Sequence, residues 1–324
     1  MVEHRGVGRS RRDDSGSDLL VSDVSLEAAA DDLEAVLAAE DVGRVVVYGT
    51  SYGSYLAQLL ALRHPSRIAA LVLDSPLLDP RDDLTAMRRT LRERLWARGG
   101  AESAAVRALS AVVPEDELVH LVSLIHDYAG PEALARFARA WAGGRLVWLR
   151  RLLSDLGGGE YDGRRTRSIQ DADLVRGIAF GELGFGLERD GGPLDPQAYA
   201  LARAGSAPAF AGAPADLREE LRRFTFPTVV LSGERDLRTP RGIADRIARL
   251  APRGLLVDVP GVGHSILDAH PLLALAVSEA AGRGRQDLLP FAARRLASLP
   301  RLGASALLGR ALNVASALAE RLSD

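Results

Sequence analysis

The chain has 324 residues, of which 47% are hydrophobic and 26% charged, the balance of a soluble protein with a sizeable core. Its 41 basic and 43 acidic residues leave a net charge of −2, so the chain as a whole is not drawn to nucleic acid or to an anionic membrane. Cysteine is absent, which excludes disulfides, thiolate catalysis and cysteine-based zinc or iron–sulfur sites.

The sequence contains no recognisable targeting or membrane segment. Its first residues, Met-Val-Glu-His-Arg-Gly, lack the apolar stretch of a signal peptide. No window reaches the roughly 18 apolar residues that a membrane span requires. We therefore expect a cytoplasmic protein, with export left open if a signal precedes this sequence.

The first part of the chain alternates between helical and strand patterns. Residues 25–40 carry apolar side chains at steps of three and four, with Ser25 as a candidate N-cap, which predicts an amphipathic helix. A buried strand over 44–48, a helix over 52–64 and a short apolar strand over 69–73 follow.

The same alternation returns late in the chain. The pattern predicts a strand over 228–231, a helix over 240–250 and a strand over 255–259. Strands that alternate with helices form parallel sheets with both faces covered. The predicted fold class is therefore α/β.

The segment between these two blocks has helical patterns and no convincing strand. Helices are predicted over 88–98 and 131–148, with a break at 157–160. A helical insertion of this kind is typical of a lid.

The sequence is therefore predicted to divide into four parts. Residues 1–80 form the first part of the core, 81–223 the helical lid, 224–283 the second part of the core and 284–324 a helical extension. We expect the C-terminal helices to pack on the body, with a membrane-surface or partner helix as the alternative.

A Gly-x-Ser-x-Gly motif, Gly49-Thr50-Ser51-Tyr52-Gly53, lies between a predicted strand and a predicted helix. This is the context of a nucleophile elbow, in which a strained turn projects the serine hydroxyl above the sheet. Both glycines are expected to allow close approach of strand and helix. The backbone N–H of Tyr52 and the helix N-terminus favour negative charge beside Ser51.

A catalytic serine requires a base, and the base requires an orienting carboxylate. Asp236 follows the strand predicted over 228–231, and His264 follows the strand predicted over 255–259 on a glycine-flanked loop. The order Ser, Asp, His after successive strands is that of an α/β triad. Glu234 and Asp74 are alternative orienting acids.

Four segments together resemble the α/β-hydrolase superfamily, and more narrowly its proline iminopeptidase and tripeptidyl aminopeptidase-like branch. The resemblance covers residues 3–80 and 225–275, in the segments EHRGVGRS, VVVYGTSYGSYLAQLLALRHPSRIAALVLDSPLLDP, PTVVLSGERDLRTP and VPGVGHS. It implies an α/β-hydrolase fold with an inserted helical lid and a triad of Ser51, Asp236 and His264. The lid segment RGIAFGELGFG resembles one that carries an acid for the substrate's N-terminal ammonium, which implies that role for Glu182.

The front of the sequence departs from that family. The family has strands and a His-Gly-Gly-Pro-Gly-like loop before the Arg-Gly-x-Gly-x-Ser turn, whereas this sequence begins almost on the turn. That loop ordinarily donates one oxyanion N–H, and loss of one such donor costs about 10²- to 10³-fold in rate. We therefore expect that the N-terminal strands and the oxyanion loop are missing from this sequence, either by truncation or because it is a fragment.

These observations predict a serine hydrolase that works through an acyl-enzyme, with no metal or organic cofactor. The resemblance implies an aminopeptidase-type activity on short peptides or amides with a free N-terminus. A carboxylesterase is the second hypothesis, and a non-catalytic binding protein of the same fold is the third. The oligomeric state is not predicted.

Overall fold

A computed structural model describes residues 3–156 and 171–321 of the chain. The break predicted at residues 157–160 lies outside this part. No helix among the described residues is long and apolar enough to cross a membrane.

The centre of the fold is a parallel β-sheet, which has four strands within the described ranges. The strands β1 Val45–Thr50, β2 Ile68–Asp74, β3 Thr228–Gly233 and β4 Gly254–Val259 lie side by side in that order. Leu73 of β2 pairs with Gly49 of β1 and with Val230 of β3, so the carboxyl ends of these strands meet at one edge of the sheet. The predicted strands are each present, one or two residues longer than the sequence pattern indicated.

Helices precede, connect and follow these strands along the chain. They are α1 Leu26–Ala39, α2 Tyr52–Arg63, α3 Pro80–Arg92, α4 Gly100–Ser110, α5 Glu115–Ala129, α6 Pro131–Ala142, α7 Val147–Ser154, α8 Ala172–Gly181, α9 Pro196–Ala202, α10 Leu217–Glu220, α11 Arg241–Leu250, α12 Ile266–Ala269, α13 Pro271–Gly282, α14 Leu289–Ala297 and α15 Ala304–Arg321. Short 3-10 turns lie at Val21–Asp23, Pro65–Arg67, Leu221–Arg223 and Gln286–Leu288, and a π turn lies at Glu93–Ala97.

Both faces of the sheet are covered by helices. Because side chains alternate along a strand, Leu71 and Leu73 of β2 join a core with α1, α2 and α11, while Val72 joins the opposite core with α13 and α14. The α3 to α7 helices contribute most of a third core, around residues such as Phe137 and Leu121, which Tyr199, Leu237 and Leu312 complete. The α15 helix packs on α5 and α6, with Leu312 buried, as expected for a helix that packs on the body.

Three local predictions differ from the structure. The β1 strand is half-buried except at Gly49, because it lies at the edge of the described sheet and pairs with β2 alone. The helix predicted over 131–148 is two helices, since Gly144 has a φ of +72° and ends the first. The helix predicted over 88–98 begins earlier, at Pro80, where the Asp79 side chain accepts the N–H groups of Arg81 and Asp82.

The turn between β1 and α2 is the tightest point of the fold. At Gly49 a Cβ atom would overlap the carbonyl of Gly53 and would lie 2.8 Å from the Cβ of Ala57. At Gly53 a Cβ atom would have no neighbour within 4 Å among the described residues. The expectation that both glycines permit close packing therefore holds for Gly49 and is wrong for Gly53.

This difference gives a matched pair of substitutions. Gly49→Ala is expected to lower the free energy of unfolding by about 3 kcal/mol or more, because the added methyl group overlaps the backbone of the next turn. Gly53→Ala is expected to change it by less than about 1 kcal/mol, in the stabilising direction, since alanine favours a helix. Urea unfolding followed by circular dichroism measures both values. Equal stability of the two variants would contradict the described packing of strand against helix.

Candidate active site

Ser51 occupies a strained turn at the carboxyl edge of the sheet. Its φ of 51° and ψ of −121° are rare for a non-glycine residue. The backbone N–H of Ser51 donates to the carbonyl of Asp74 at 2.9 Å, which fixes the turn against the end of β2. The side chain lies directly before α2 and lines a cavity. The turn therefore presents the hydroxyl at the site where a helix N-terminus favours negative charge.

The structure brings Ser51, His264 and Asp236 together in one hydrogen-bonded chain. The Ser51 hydroxyl lies 2.8 Å from Nε2 of His264. Nδ1 of His264 lies 3.1 Å from Oδ2 and 3.3 Å from Oδ1 of Asp236. With Nδ1–H donating to the carboxylate, Nε2 is left as the acceptor for the serine hydroxyl. The three residues come from the loops after β1, β3 and β4, as the sequence predicts.

Asp236 is held by its own loop. Its Oδ1 accepts the backbone N–H groups of Arg238 and Thr239, both at 2.9 Å, and its Oδ2 accepts the Thr239 hydroxyl at 2.7 Å. The side chain is fully buried. A carboxylate with this many donors keeps one orientation and stays ionised although it is buried.

Burial and charge oppose each other in the His264–Asp236 pair. Burial alone would raise the pKa of Asp236, but the charge of His264 and the hydrogen bonds from His264 and Thr239 lower it overall. Burial alone would lower the pKa of His264, but the charge of Asp236 and its hydrogen bond raise it above 6.5. Both directions favour the pair of imidazolium and carboxylate, which is the state a general base passes through after it takes a proton.

The two alternative acids make other contacts. The Asp74 carboxylate accepts the Tyr48 hydroxyl at 2.9 Å and the backbone N–H groups of Ile266 and Leu267 at 3.1 and 2.9 Å. The Glu234 carboxylate accepts the N–H of Gly261 at 2.7 Å. Both acids therefore hold loops of the site, and Asp236 is the acid in contact with the imidazole.

The loop that carries His264 is packed against a helix of the 81–223 segment. A Cβ atom at Gly263 would lie 2.6 Å from the carbonyl oxygen and 2.7 Å from Cα of Asp127 on α5. Asp127 is itself buried, and burial followed by the charge of Asp236 raises its pKa to about 7. The backbone of α5 at Asp127 therefore packs directly against the histidine loop at Gly263, and the carboxyl group of Asp127 is buried there.

A cavity of about 500 Å³ opens onto Ser51 and His264. Its walls come from the ends of the core strands and from helices of the 81–223 segment, and most lining side chains are apolar, among them Leu77, Met87 and Val119. Polar lining groups include Asp83, His120, Ser123, Arg238 and Asp268. Tyr52 also lines the cavity, and as the first residue of α2 its N–H has no acceptor within the helix.

Glu182 does not line the cavity, although its charge acts on the Tyr52 hydroxyl. Its carboxylate accepts the backbone N–H of Leu26 at 3.1 Å, at the start of α1, and the side chain is not among those lining the cavity. Burial raises its pKa. Its proposed contact with a substrate ammonium therefore has no geometric support, and the role stays a prediction.

Sequence reasoning did not anticipate several polar groups of this region. Thr239, three residues after Asp236 in the same loop, is one of them. The spacing of His120, Ser123 and Asp127 puts them on one face of a helix, which the sequence could have signalled. Which way that face points depends on packing between distant segments, and the local pattern carries no information on it.

The parallel sheet, the helices on both faces and the strained serine turn at the sheet edge define the α/β-hydrolase fold. A family model described as alpha/beta hydrolase fold matches residues 1–121. The superfamily predicted from the sequence is supported by this match, and the proline iminopeptidase branch is not tested by it. No curated protein matches the sequence.

Solved structures of hydrolases resemble the chain at low identity. An N-acyl homoserine lactone degrading enzyme, Est816, has 19% identity over 89% of this chain and 80% of its own, with a TM-score of 0.39. An esterase from Thermogutta terrifontis has 19% identity over 91% and 79%, with a TM-score of 0.37. A hydrolase from Bacillus anthracis has 14% identity over 82% and 74%, with a TM-score of 0.43. At these values the similarities carry no argument about function.

The electrostatics of the pair can be measured without any substrate. In the unmodified protein the pKa of His264 is expected above 6.5, because the charge of Asp236 outweighs burial. In Asp236→Asn that charge is gone and burial remains, so the pKa is expected to fall below 6.5. Nitrogen-15 NMR titration of labelled histidines gives both values, with His264→Gln to assign the signal.

Thr239→Val is the matched control for this titration. It removes the hydroxyl that donates to Asp236 but leaves the carboxylate charge, so the pKa of His264 is expected to stay above 6.5. A His264 pKa that is the same in the unmodified protein and in Asp236→Asn would contradict the described coupling.

Proposed function

We propose that the chain is a serine hydrolase that works through an acyl-enzyme. The observation that carries this proposal is the 2.8 Å contact between the Ser51 hydroxyl and Nε2 of His264, made from a strained serine turn. A backbone conformation of this kind costs on the order of 1–3 kcal/mol. A surface serine without a functional contact is therefore not expected to adopt it.

The proposed reaction has two halves. Ser51 attacks the substrate carbonyl while His264 takes its proton, and His264 then returns that proton to the leaving group as the carbonyl reforms. Water repeats the sequence on the acyl-enzyme and releases the acid. Asp236 holds the imidazole in the required tautomer and stabilises its charged form. The N–H of Tyr52 and the N-terminus of α2 are positioned to favour the negative oxygen of the tetrahedral intermediate.

We propose, as the finer assignment, an aminopeptidase-type activity on short peptides or amides with a free N-terminus. Its support is the sequence resemblance in the elbow and in the Leu-Asp-Ser-Pro segment at residues 73–76. The helices of the 81–223 segment would form the pocket and exclude water from the acyl-enzyme.

A carboxylesterase is the second candidate. Two observations favour it: the cavity lining is mostly apolar, and Glu182 does not line the cavity. An ester is a more reactive substrate than an amide and needs no charged anchor for an ammonium group, so the same triad would suffice.

An activated serine can be detected with a fluorophosphonate probe. Ser51→Ala is expected to abolish labelling and to reduce any hydrolytic kcat by about 10⁴-fold or more, because the nucleophile is lost. Ser265→Ala is the matched control, since Ser265 lines the same cavity beside His264 and its hydroxyl donates to Asp268. Gel fluorescence and thermal unfolding of each variant give labelling and folding together.

Labelling that persists in Ser51→Ala would contradict the assignment of the nucleophile. A folded protein that is not labelled at all would instead favour a non-catalytic binding protein with this fold.

The peptidase and esterase candidates separate on chromogenic substrates. We expect turnover of aminoacyl-β-naphthylamides, with blocked N-termini hydrolysed at least about tenfold more slowly if an anionic group anchors the ammonium. Hydrolysis of p-nitrophenyl acyl esters alone would reject the peptidase.

Glu182→Gln is expected to leave the preference for a free N-terminus unchanged, because Glu182 lies outside the cavity lining. Loss of that preference in Glu182→Gln would restore the role implied by the resemblance.

A further inference from the structure

The C-terminal segment, residues 298–321, contacts the loop that carries His264. This histidine loop, residues 260–265, connects β4 to α12. Arg301 donates from Nη2 to the carbonyl oxygen of Pro260 and from Nη1 to that of Gly261, both at 2.8 Å. A guanidinium that binds two acceptors at once fixes their direction as well as their position. The start of the histidine loop is therefore tied to Arg301.

Gly261 is held from both sides. Its backbone N–H donates to the Glu234 carboxylate at 2.7 Å, and its carbonyl accepts the guanidinium of Arg301. Its φ of +65° lies in the left-handed region, which glycine adopts without steric cost. The bend that leads the chain from β4 toward His264 is therefore fixed by a carboxylate on one side and a guanidinium on the other.

The position of the histidine loop matters because His264 makes two contacts at once. Its Nε2 lies 2.8 Å from the Ser51 hydroxyl, and its Nδ1 lies 3.1 Å from Oδ2 of Asp236. The second distance is close to the upper end of the usual N–H···O range, which is about 3.2 Å. A displacement of about 1 Å at a reacting group can cost on the order of 10²-fold in rate. The loop therefore has little freedom to move if both contacts are to persist.

The C-terminal segment also contacts the chain beyond His264. A Cβ atom at Gly303 would lie 2.9 Å from the carbonyl oxygen of Asp268 on α12. The α12 helix begins at Ile266, directly after the histidine loop. The segment therefore contacts the chain before His264, through Arg301, and after it, through Gly303.

The α15 helix rests on the 81–223 segment. At Gly309 a Cβ atom would overlap the carbonyl oxygen of Tyr128 on α5. Toward the other end of α15, Glu320 pairs with Arg136 on α6 at 2.8 Å. The C-terminal segment is therefore anchored on helices of the 81–223 segment as well as on the residues around His264.

These contacts form a closed ring. The histidine loop packs on α5 where Gly263 meets the backbone of Asp127. At the next residue of α5, Tyr128 meets Gly309 of α15. Arg301, which precedes α15, returns to the histidine loop through its two hydrogen bonds. Because the parts are close-packed, a shift of the loop either displaces α5 or breaks the bonds to Arg301.

We propose that Arg301 is a positioning residue of the reaction: its two hydrogen bonds keep the histidine loop on α5 and so keep His264 within reach of Ser51. The inference rests on the proposed function. It gives the C-terminal segment, which lies outside the sequence resemblance, a part in catalysis. Arg301 does not line the cavity, so its effect is expected on the chemical step and not on substrate binding.

Arg301→Gln tests this role in the kinetics. On p-nitrophenyl acetate or leucyl-β-naphthylamide, whichever is turned over, kcat is expected to fall about tenfold, because His264 acts in both halves of the reaction. KM is expected to stay within about threefold. Arg301→Lys keeps the charge but offers one ammonium to two carbonyls, so its kcat is expected to lie between those of the unmodified protein and Arg301→Gln.

Arg295→Gln is the matched control. Arg295 lies on α14, is exposed, and has no side-chain hydrogen bond or ion pair among the described residues. The substitution removes the same charge and is expected to leave kcat within about twofold. Thermal unfolding shows that each variant is folded. Equal kcat values in Arg301→Gln and Arg295→Gln would overturn the positioning role.

A measurement without substrate separates this inference from the proposed function. The Nδ1–H proton of His264 exchanges slowly with water, and gives a downfield proton NMR signal, only while it is bound to Asp236. His264→Gln assigns the signal. In Arg301→Gln this proton is expected to exchange about tenfold faster, and in Arg295→Gln at an unchanged rate.

The combined outcomes are distinct. If no substrate is turned over but the exchange is faster in Arg301→Gln alone, the hydrolase proposal fails and the positioning role stands. If substrates are hydrolysed and Arg301→Gln changes neither kcat nor the exchange, the hydrolase stands and the positioning role fails. Absence of turnover together with unchanged exchange would overturn both.

Discussion

The site depends on the carboxylate of Asp74 at the end of β2. The carboxylate accepts hydrogen bonds from the Tyr48 hydroxyl on β1 and from the backbone N–H groups of Ile266 and Leu267. The backbone carbonyl of Asp74 accepts the N–H of Ser51. One buried residue thus joins the serine turn, the second strand and the segment after His264. Because a buried acceptor of this kind must keep its donors, the serine and histidine loops are held in a fixed relation before any substrate binds.

The pKa values of the buried acids around this centre are shifted in different directions. Asp236 has the imidazole, a hydroxyl and two backbone N–H groups, and its pKa is lowered despite complete burial. Asp127 has one carboxylate oxygen without a partner among the described residues, and its pKa is raised to about 7. Asp83 accepts two N–H groups through one oxygen, and burial still raises its pKa to about 8. At Asp74 burial raises the pKa although the carboxyl group accepts several hydrogen bonds, so the neighbouring charge of His264 is what distinguishes Asp236 from the other buried acids.

Much of the core could be predicted from the sequence because its signals are local. The apolar run before Gly49-Thr50-Ser51-Tyr52-Gly53 and the helical pattern after it place a strand, a turn and a helix without further information. The positions of Asp236 and His264 follow from the same rule, since the carboxyl ends of parallel strands meet at one edge. Glu182 shows the limit of this reasoning. It follows directly after α8, and whether its carboxylate reaches the cavity or the start of α1 depends on packing between residues 156 positions apart.

The contact between Gly263 and the backbone of Asp127 has a consequence for how this protein could diversify. Helical insertions are often regarded as modules that can be exchanged while the α/β core stays constant. Here α5 abuts the histidine loop so closely that a methyl group at Gly263 would collide with it. A replacement insertion would have to bring its own helix backbone to the same place within a few tenths of an ångström. Changes of specificity are therefore more accessible through side chains on the cavity face of α5 than through exchange of the whole segment.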